Sequence, residues 1–323
     1  MKSLRFEIES LRPKSRPAPP SPWSVPRVLV SVEPDGQGGQ VETTTVFLIG
    51  AECPFRCSMC DLWQYTTPED TPVGAIPFQL SQVLQPTPSA KRRWLKLYNA
   101  SNFFDPRSIP REDYGAIASH CSGFERVIVE NHPRMCDDSM RMFAETIHGQ
   151  LEVGMGLETI HPGAMAAMNK GMTLEDYDRA VETCHHLGID LRAFVLLHPP
   201  CIAWNESVEW TWKTVEYAFD RGVRHVSVIP LRSGNGWIDR LIENGEYRLP
   251  TVGTVRELFN ALPKLKWTWP TSAVFEFDLW DWDNLLAGCK QCSSHWRSYI
   301  EQCNRTQHWI PFSESEHQCE CTI

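Results

Sequence analysis

Three closely spaced cysteines are the strongest chemical signal in this sequence of 323 residues. They stand in the segment Cys53-Pro-Phe-Arg-Cys57-Ser-Met-Cys60, directly after the apolar run TVFLIG (45–50). The spacing C-x3-C-x2-C puts three soft thiolate ligands on one loop, which suits an iron–sulfur cluster because its irons bind cysteine sulfur. Three ligands for four irons would leave one iron open. A structural zinc ion and three buried cysteines without metal are the alternatives.

A second set of cysteines lies near the C-terminus and comprises Cys289, Cys292, Cys303, Cys319 and Cys321. A C-x2-C pair, a single cysteine and a C-x-C pair supply enough soft ligands for one closed four-coordinate site. We therefore predict a second metal here, either zinc or an auxiliary iron–sulfur cluster, which would help a segment of weak periodicity to fold. The alternative is a set of reduced cysteines packed against the neighbouring tryptophans.

Composition places the chain among globular proteins, with 42% apolar and 22% charged residues. The net charge of −9 argues against a protein that holds nucleic acid mainly through phosphates, although a local basic groove stays open. The N-terminal MKSLRFEIES has no apolar signal segment, and no window of the sequence is apolar enough to span a membrane. We therefore expect a cytoplasmic protein without a membrane segment, in which cysteines are metal ligands or buried apolar residues.

Short apolar strands alternate with helical segments through the middle of the chain. Strands are predicted at 45–50, 93–99, 125–130, 151–158, 189–197 and 223–230, with helices at 77–85, 111–121, 137–148, 174–188 and 205–222. This alternation predicts parallel βαβ units with right-handed crossovers. The units fit a partial (β/α)6 barrel of the TIM type, and the lack of GxGxxG after the first strand argues against a Rossmann domain.

The predicted core barrel covers residues 44–235 and is flanked by other regions. Residues 1–26 are predicted to be a flexible, Pro-rich lead-in, and 27–43 a strand and turn that form a β-hairpin with the first barrel strand. Residues 236–323 are a Cys- and Trp-rich extension, proposed to bind metal, with a helix at 251–265. We interpret the tryptophans after residue 200 mainly as core anchors, and stacking on bases is the alternative.

Polar residues at the ends of barrel strands are the candidates for substrate chemistry, because catalytic residues of such barrels lie at that end. Glu130 follows the third predicted strand, His198 the fifth and Arg232 the sixth. We predict that these three are catalytic residues. The structural alternatives are an ion pair for Glu130, a strand cap for His198 and a contact with a helix C-terminus for Arg232.

The cysteine loop, its position after the first strand and the βα order together resemble the radical S-adenosylmethionine (SAM) superfamily. The stretch GLETIHPGAMAAMNKGMTLEDYDRAVETCHHLGIDLRAFVLLHPP (156–200) is similar to a subgroup of that superfamily. The subgroup includes the elongator catalytic subunit, the tRNA methylthiotransferases and the radical SAM partner of archaeosine synthase. The resemblance implies a [4Fe–4S] cluster on Cys53, Cys57 and Cys60, whose open iron binds SAM.

The same resemblance implies further SAM contacts. Met59 would lie beside the adenine, Glu158 at the ribose hydroxyls and Lys170 at the carboxylate. The family carries a Gly-Gly-Glu-like stretch after the second strand that receives the SAM ammonium. This stretch is absent here, and the candidates in its place are Asn99, Ser101 and Asn102. An ordinary loop, and for Glu158 a buried carboxylate paired to a helix, are the structural alternatives.

The function implied by the resemblance is radical initiation. A reductant such as flavodoxin or ferredoxin would reduce the cluster, and SAM would be split to a 5′-deoxyadenosyl radical that abstracts hydrogen from a substrate. Lyase, mutase, oxidoreductase and transferase outcomes all stay open. The subgroup favours a modified tRNA base as substrate, with a specialised small molecule or peptide as the alternative. The rival class is a non-catalytic iron–sulfur or zinc-binding protein.

Overall fold

The structure is a computed structural model that describes residues 4–13, 20–84, 93–265, 269–285 and 290–309. The strands are β1 (Arg27–Pro34), β2 (Gln40–Phe47), β3 (Arg93–Tyr98), β4 (Arg126–Glu130), β5 (Gln150–Glu158), β6 (Asp190–Leu197), β7 (His225–Pro230) and β8 (Val274–Phe277). The helices are α1 (Leu4–Leu11), α2 (Ala75–Val83), α3 (Tyr114–Cys121), α4 (Asp138–Thr146), α5 (Pro162–Ala167), α6 (Leu174–His186), α7 (Ser207–Asp220), α8 (Trp237–Glu243), α9 (Val252–Leu265), α10 (Trp282–Leu285) and α11 (Lys290–Thr306). None of the helices in these ranges is long and apolar enough to cross a membrane.

The strands form one curled sheet in the order β1-β2-β3-β4-β5-β6-β7-β8. β1 pairs antiparallel with β2, with Arg27 opposite Phe47, and the pairs from β2 to β8 are parallel. The six predicted barrel strands correspond to β2–β7. The structure thus confirms the α/β class and the partial barrel, and it brings the C-terminal ends of β2–β8 to one mouth.

Side chains alternate between the two faces of this sheet. In β4, Val127 and Val129 belong to the core that packs beneath the outer helices, whereas Ile128 belongs to a separate small cluster with Trp94 of β3. Helices lie on the outside because parallel strands are joined by crossovers that cover the sheet. The barrel interior is therefore free to hold polar groups.

The floor of the barrel is an ion network centred on Arg192, which is 1% exposed. Its Nε lies 2.8 Å from Glu152 Oε1, and its Nη2 lies 3.2 Å from Glu33 Oε2. Glu152 Oε2 also accepts hydrogen bonds from Arg126 at 2.8 Å and Arg224 at 2.9 Å. Burial alone would raise the pKa of Glu152, but the arginines hold it well below its usual range. This network fills the N-terminal end of the barrel, so a substrate would enter from the C-terminal mouth.

The C-terminal extension contributes to the sheet, which the sequence did not predict. β8 pairs parallel with β7, with His225 opposite Val274, and α11 packs against β1, β8 and α9. The four-residue strand VFEF is too short to show a period of two. The sheet therefore has seven parallel strands in the described ranges, one more than the (β/α)6 pattern.

The expectation of a flexible lead-in is wrong for residues Leu4–Leu11, which form α1. Ile8 is 2% exposed and packs in an apolar cluster with Met168, Leu231 and Trp237. The segment LRFEIESL precedes the first proline of the lead-in, and Leu4, Ile8 and Leu11 fall on one helical face, whereas Phe6 is 48% exposed. Residues 14–19 lie outside the described part of the chain.

The interpretation of the tryptophans as core anchors is confirmed for several of them. Trp212 and Trp282 are buried in the main core, and the ring of Trp269 lies 5.9 Å from that of Trp212. Trp280 differs, because it is 48% exposed and lies beneath the guanidinium of Arg27. Trp267, another of the tryptophans after residue 200, lies outside the described residues.

Candidate functional site

The cysteine loop begins at the C-terminal end of β2 and is anchored there by buried polar side chains. Gln79 of α2 is fully buried, and its amide accepts a hydrogen bond from Ile49 N and donates one to Ile49 O, both at 2.8 Å. Ala51 N donates to Thr71 Oγ1 at 2.9 Å. These contacts hold the chain in place just before Cys53.

The rest of the loop is fastened to the segment that follows α5. Ser58 N donates to Met168 O at 2.9 Å, and Ser58 Oγ donates to Ala167 O at 3.0 Å. Asn169 Nδ2 donates to Arg56 O at 2.7 Å. The cysteines and the predicted SAM ligand Lys170 are therefore held together by direct hydrogen bonds between segments more than a hundred residues apart.

His132 adds a third support to the loop. Its ring stacks on Phe55 at a centroid distance of 3.6 Å, and its Nε2 lies 3.0 Å from Lys170 O. Since Nδ1 accepts a hydrogen bond from Arg134 N, the proton must be on Nε2. Burial lowers the pKa of His132 to about 3, so the ring is neutral and acts here as a donor to the Lys170 carbonyl.

The three buried thiols need a nearby positive charge to lose their protons, and the irons of a cluster would supply it. Burial raises the pKa of Cys53 and Cys57, and that of Cys60 to about 12, while Lys170 partly opposes the rise at Cys57. In the described ranges, no three His, Cys, Asp or Glu side chains converge as ligands of one metal ion. A [4Fe–4S] cluster would bind each thiolate to a separate iron and would supply the charge that offsets their burial.

Glu158 and Lys170 form a buried ion pair beside this loop, with Nζ and Oε1 2.5 Å apart. A register shift between Gly156 and Glu158 gives Glu158 a φ of 65° and redirects its side chain. A Cβ on Gly156 would stand 2.0 Å from Glu158 Oε1 and 2.2 Å from Lys170 Nζ. Burial alone would lower the pKa of Lys170, but Glu158 raises it above its usual value. Only glycine leaves room for this pair.

The end of β3 offers two oxygen atoms suited to the SAM ammonium. Asn99 donates to Ser108 Oγ at 2.9 Å, but its Oδ1 is buried without a hydrogen-bond partner among the described residues. Ser101 Oγ is orphaned in the same way. Buried acceptors without partners are costly, and a bound ammonium would satisfy them. Asn102 differs, since its amide donates to Cys53 Sγ at 3.1 Å.

Met59 lies on the other side of the loop, where it packs against an apolar cluster. The cluster contains Leu196, Leu231, Met168 and Ile8 of α1. An apolar wall of this kind suits the face of an adenine ring. The helix α1 is held over this region by a hydrogen bond from Arg56 Nε to Glu9 and, just after its last residue, by one from Arg12 to Glu52.

The structure places Arg232 between two carboxylates rather than in open space. Its guanidinium contacts Asp61 at 2.9 Å and Asp281 at 2.5 Å, which ties the end of the cysteine loop to the segment after β8. These pairs contradict the structural alternative, in which Arg232 would contact a helix C-terminus. A direct role of Arg232 on substrate stays a prediction.

His198 is packed among aromatic rings. It stacks on Tyr247 at 5.1 Å and meets Trp204 edge-on at 4.6 Å, and its carbonyl accepts from Tyr247 Oη at 2.6 Å. Burial lowers the pKa of His198 to about 4, so it is neutral at physiological pH. Its Nδ1 is buried without a partner among the described residues, and a catalytic role stays a prediction.

Glu130 lies at the end of β4, above the ion network of the floor. Burial raises its pKa from 4.5 to about 7, and Lys96 and Arg192 only partly oppose this. A carboxyl group that titrates near neutrality can both give and take a proton. Of the three predicted catalytic residues, Glu130 therefore has the environment best suited to that role.

We expect Glu130→Gln to change how stability depends on pH. The folded state retains a proton that the unfolded state releases between about pH 4.5 and 7, so wild-type stability falls as pH rises through this window. Glutamine does not titrate, and the variant should gain up to about 3 kcal/mol relative to wild type between pH 4 and 8. Urea unfolding at both pH values measures this, and an unchanged difference between the two proteins would contradict the assignment.

The predicted C-terminal metal site is wrong in one respect. Cys292 and Cys303 both lie on α11, and eleven residues of helix separate them by about 16 Å. They cannot ligate one four-coordinate ion together. Cys303 is buried in the main core, as expected of a structural cysteine. Cys289, Cys319 and Cys321 lie outside the described residues, and a metal held by them stays a prediction.

Comparisons with known proteins extend this picture. An uncharacterised protein of Methanocaldococcus jannaschii is 22% identical over 218 residues, which span 64% of this chain and 60% of that protein. The archaeosine synthase beta subunit of Methanosarcina acetivorans is 22% identical over 320 residues, covering 94% of this chain and 89% of that subunit. No family model matches the chain.

Among solved structures, a radical SAM methyltransferase from Sphaerobacter thermophilus overlaps 86% of this chain and 82% of its own, at 14% identity and a TM-score of 0.49. The architecture itself defines an α/β protein with a partial parallel barrel open at its C-terminal mouth. The cysteine loop lies at that mouth, and the chain is similar over most of its length to the Methanosarcina subunit.

Proposed function

We propose that this chain is an enzyme that holds a [4Fe–4S] cluster on Cys53, Cys57 and Cys60 and uses it to cleave SAM reductively. The observation that carries the proposal is the attachment of the cysteine loop to the segment bearing Lys170, at the mouth of the barrel. Bound there, the cluster and SAM would supply a 5′-deoxyadenosyl radical for hydrogen abstraction. A reductant such as flavodoxin or ferredoxin would provide the electron.

The residues around the loop have the charges and shapes that SAM requires. Lys170 offers a cation to the carboxylate, and its position beside Cys57 keeps that contact close to the cluster. Asn99 Oδ1 and Ser101 Oγ offer acceptors to the ammonium, and Glu158 offers oxygens to the ribose hydroxyls. These roles support SAM as the bound molecule.

For the substrate we propose a modified tRNA base. The support is the full-length similarity to a protein named as the beta subunit of archaeosine synthase. Because that relative is named as a subunit, we also propose that this chain works together with a second protein. Glu130, inside the mouth, would exchange a proton with the substrate, and the floor network below it would close the cavity.

Anaerobic reconstitution with iron and sulfide, followed by SAM and dithionite, tests the enzyme proposal. We expect a brown protein that forms 5′-deoxyadenosine, measured by liquid chromatography with mass detection. The triple variant Cys53→Ala, Cys57→Ala, Cys60→Ala should bind no such cluster and form no product. A wild-type protein loaded with four irons that forms no 5′-deoxyadenosine, or a triple variant that still forms it, would reject the proposal.

The substrate proposal is tested by dividing a cell extract into a tRNA fraction and a small-molecule fraction. We expect the tRNA fraction to raise the rate of 5′-deoxyadenosine formation, and ribonuclease treatment to remove the increase. An increase found only with the small-molecule fraction would instead favour a metabolite or peptide substrate.

A further inference from the structure

We propose that Asn102 sets the reduction potential of the cluster by donating a hydrogen bond to the Cys53 thiolate. The side-chain Nδ2 lies 3.1 Å from Cys53 Sγ, and Asn102 is 4% exposed, so water cannot readily replace this donor. The inference rests on the proposed cluster. The sequence predicts that Asn102 contacts SAM. Here Asn102 is instead a positioning residue, which acts on the cluster through Cys53.

The turn that carries Asn102 is held firmly. Its carbonyl accepts a hydrogen bond from Asp105 N at 3.2 Å, and the next residue, Phe103, donates from its N to Glu130 O at 2.9 Å. The Phe103 ring is fully buried against Phe143, at a centroid distance of 4.8 Å. The amide of Asn102 is therefore presented to the sulfur by a turn that the core fixes on both sides.

The three cluster cysteines differ in this respect. Among the described residues, Asn102 is the only side chain that donates to one of their sulfurs. Cys60 has a backbone hydrogen bond from Leu62, as Cys53 has from Phe55, and Cys57 lies near the charge of Lys170. The Asn102 amide is therefore the side-chain contact that distinguishes Cys53 from the other two ligands in the described part of the chain.

The effect on potential follows from charge. One-electron reduction adds negative charge to the cluster and its thiolates, so a donor to a thiolate stabilises the reduced state more than the oxidised state. Asn102 therefore raises the midpoint potential. Without it the cluster should be harder to reduce, while the three sulfur ligands remain in place.

The test is a redox titration of the reconstituted full chain, monitored by electron paramagnetic resonance in the absence of SAM. Asn102→Leu has a similar size and no donor, and Asn102→Gln keeps the amide. The control is Asn304→Leu, because the Asn304 amide makes two hydrogen bonds to backbone, but to Phe277 of β8 at 2.8 and 3.0 Å and not to the cysteine loop. Iron content is measured for each protein before titration.

We expect a more negative midpoint for Asn102→Leu, a smaller shift for Asn102→Gln and the wild-type value for Asn304→Leu. A wild-type midpoint in a fully loaded Asn102→Leu protein would overturn the inference, as would an equal shift in Asn304→Leu. If Asn102→Leu holds no cluster, the midpoint of Asn102→Gln is the deciding measurement. If Asn102→Gln also holds no cluster, Asn102 is needed to assemble the cluster and the inference about its potential is wrong. Absence of a cluster from the wild-type protein would instead count against the proposed function.

Discussion

Arg192→Met is expected to destabilise the protein by about 3–5 kcal/mol, because it removes the buried cation that two buried carboxylates share. Glu152 is fully buried and Glu33 is 4% exposed, and both contact the Arg192 guanidinium. Methionine retains most of the side-chain volume, so the loss measures charge rather than a cavity. Urea unfolding at neutral pH, followed by circular dichroism, gives the free energy of unfolding.

The control for this variant is Arg141→Met on the surface of α4. Arg141 pairs with Asp138 at 3.8 Å and Glu145 at 3.4 Å, but these side chains are largely exposed. Exposed pairs contribute roughly 0–1 kcal/mol, so this variant should stay close to wild type. If Arg192→Met and Arg141→Met lowered the free energy of unfolding by the same small amount, the floor network would not be a main source of stability.

Gly156→Ala is expected to weaken SAM binding about 100-fold, equivalent to about 3 kcal/mol. Its new Cβ would occupy the space of the Glu158 and Lys170 head groups, at 2.0 and 2.2 Å. Both are ends of flexible side chains, so the fold should survive while the two groups move away from the ribose and carboxylate. Equilibrium dialysis with labelled SAM on the reconstituted protein measures the affinity.

Gly154→Ala is the matched control on the same strand. A Cβ there would stand 3.0 Å from the Phe194 ring and does not reach the ion pair. We expect wild-type SAM affinity in this variant, together with unchanged iron content in both. Tight SAM binding by Gly156→Ala would show that Glu158 and Lys170 do not hold the cofactor.

Much of the architecture could be predicted because its signals are local. The order of β2–β7 and their helices follows from apolar runs, periodicity and turn residues within each segment. β8 and α1 were missed for the opposite reason, since VFEF and LRFEIESL are short and are stabilised by partners distant in sequence. The contact of β8 with β7, and those of α1 with Met168 and Trp237, cannot be predicted from the residues of the two segments alone.

In the candidate site, too, some features could be predicted from the sequence and others could not. Cys53, Cys57 and Cys60 are marked by residue type and spacing, and Glu158 and Lys170 by resemblance. No motif in the sequence predicts that the Glu158 and Lys170 head groups occupy the space beside Gly156. The register shift after it was not visible in the sequence, although a glycine inside a strand is itself a sign of close approach.

The sequence by itself determined which chemistry is available: soft ligands in one loop, parallel strands that end at one mouth, and charged residues after them. Only the tertiary structure decided which partner each polar group meets. It paired Arg232 with Asp61 and Asp281, and directed Asn102 to Cys53. Ligand type and strand periodicity are properties of a few neighbouring residues, whereas a hydrogen bond across the barrel depends on tenths of an ångström set by the packing of the whole core.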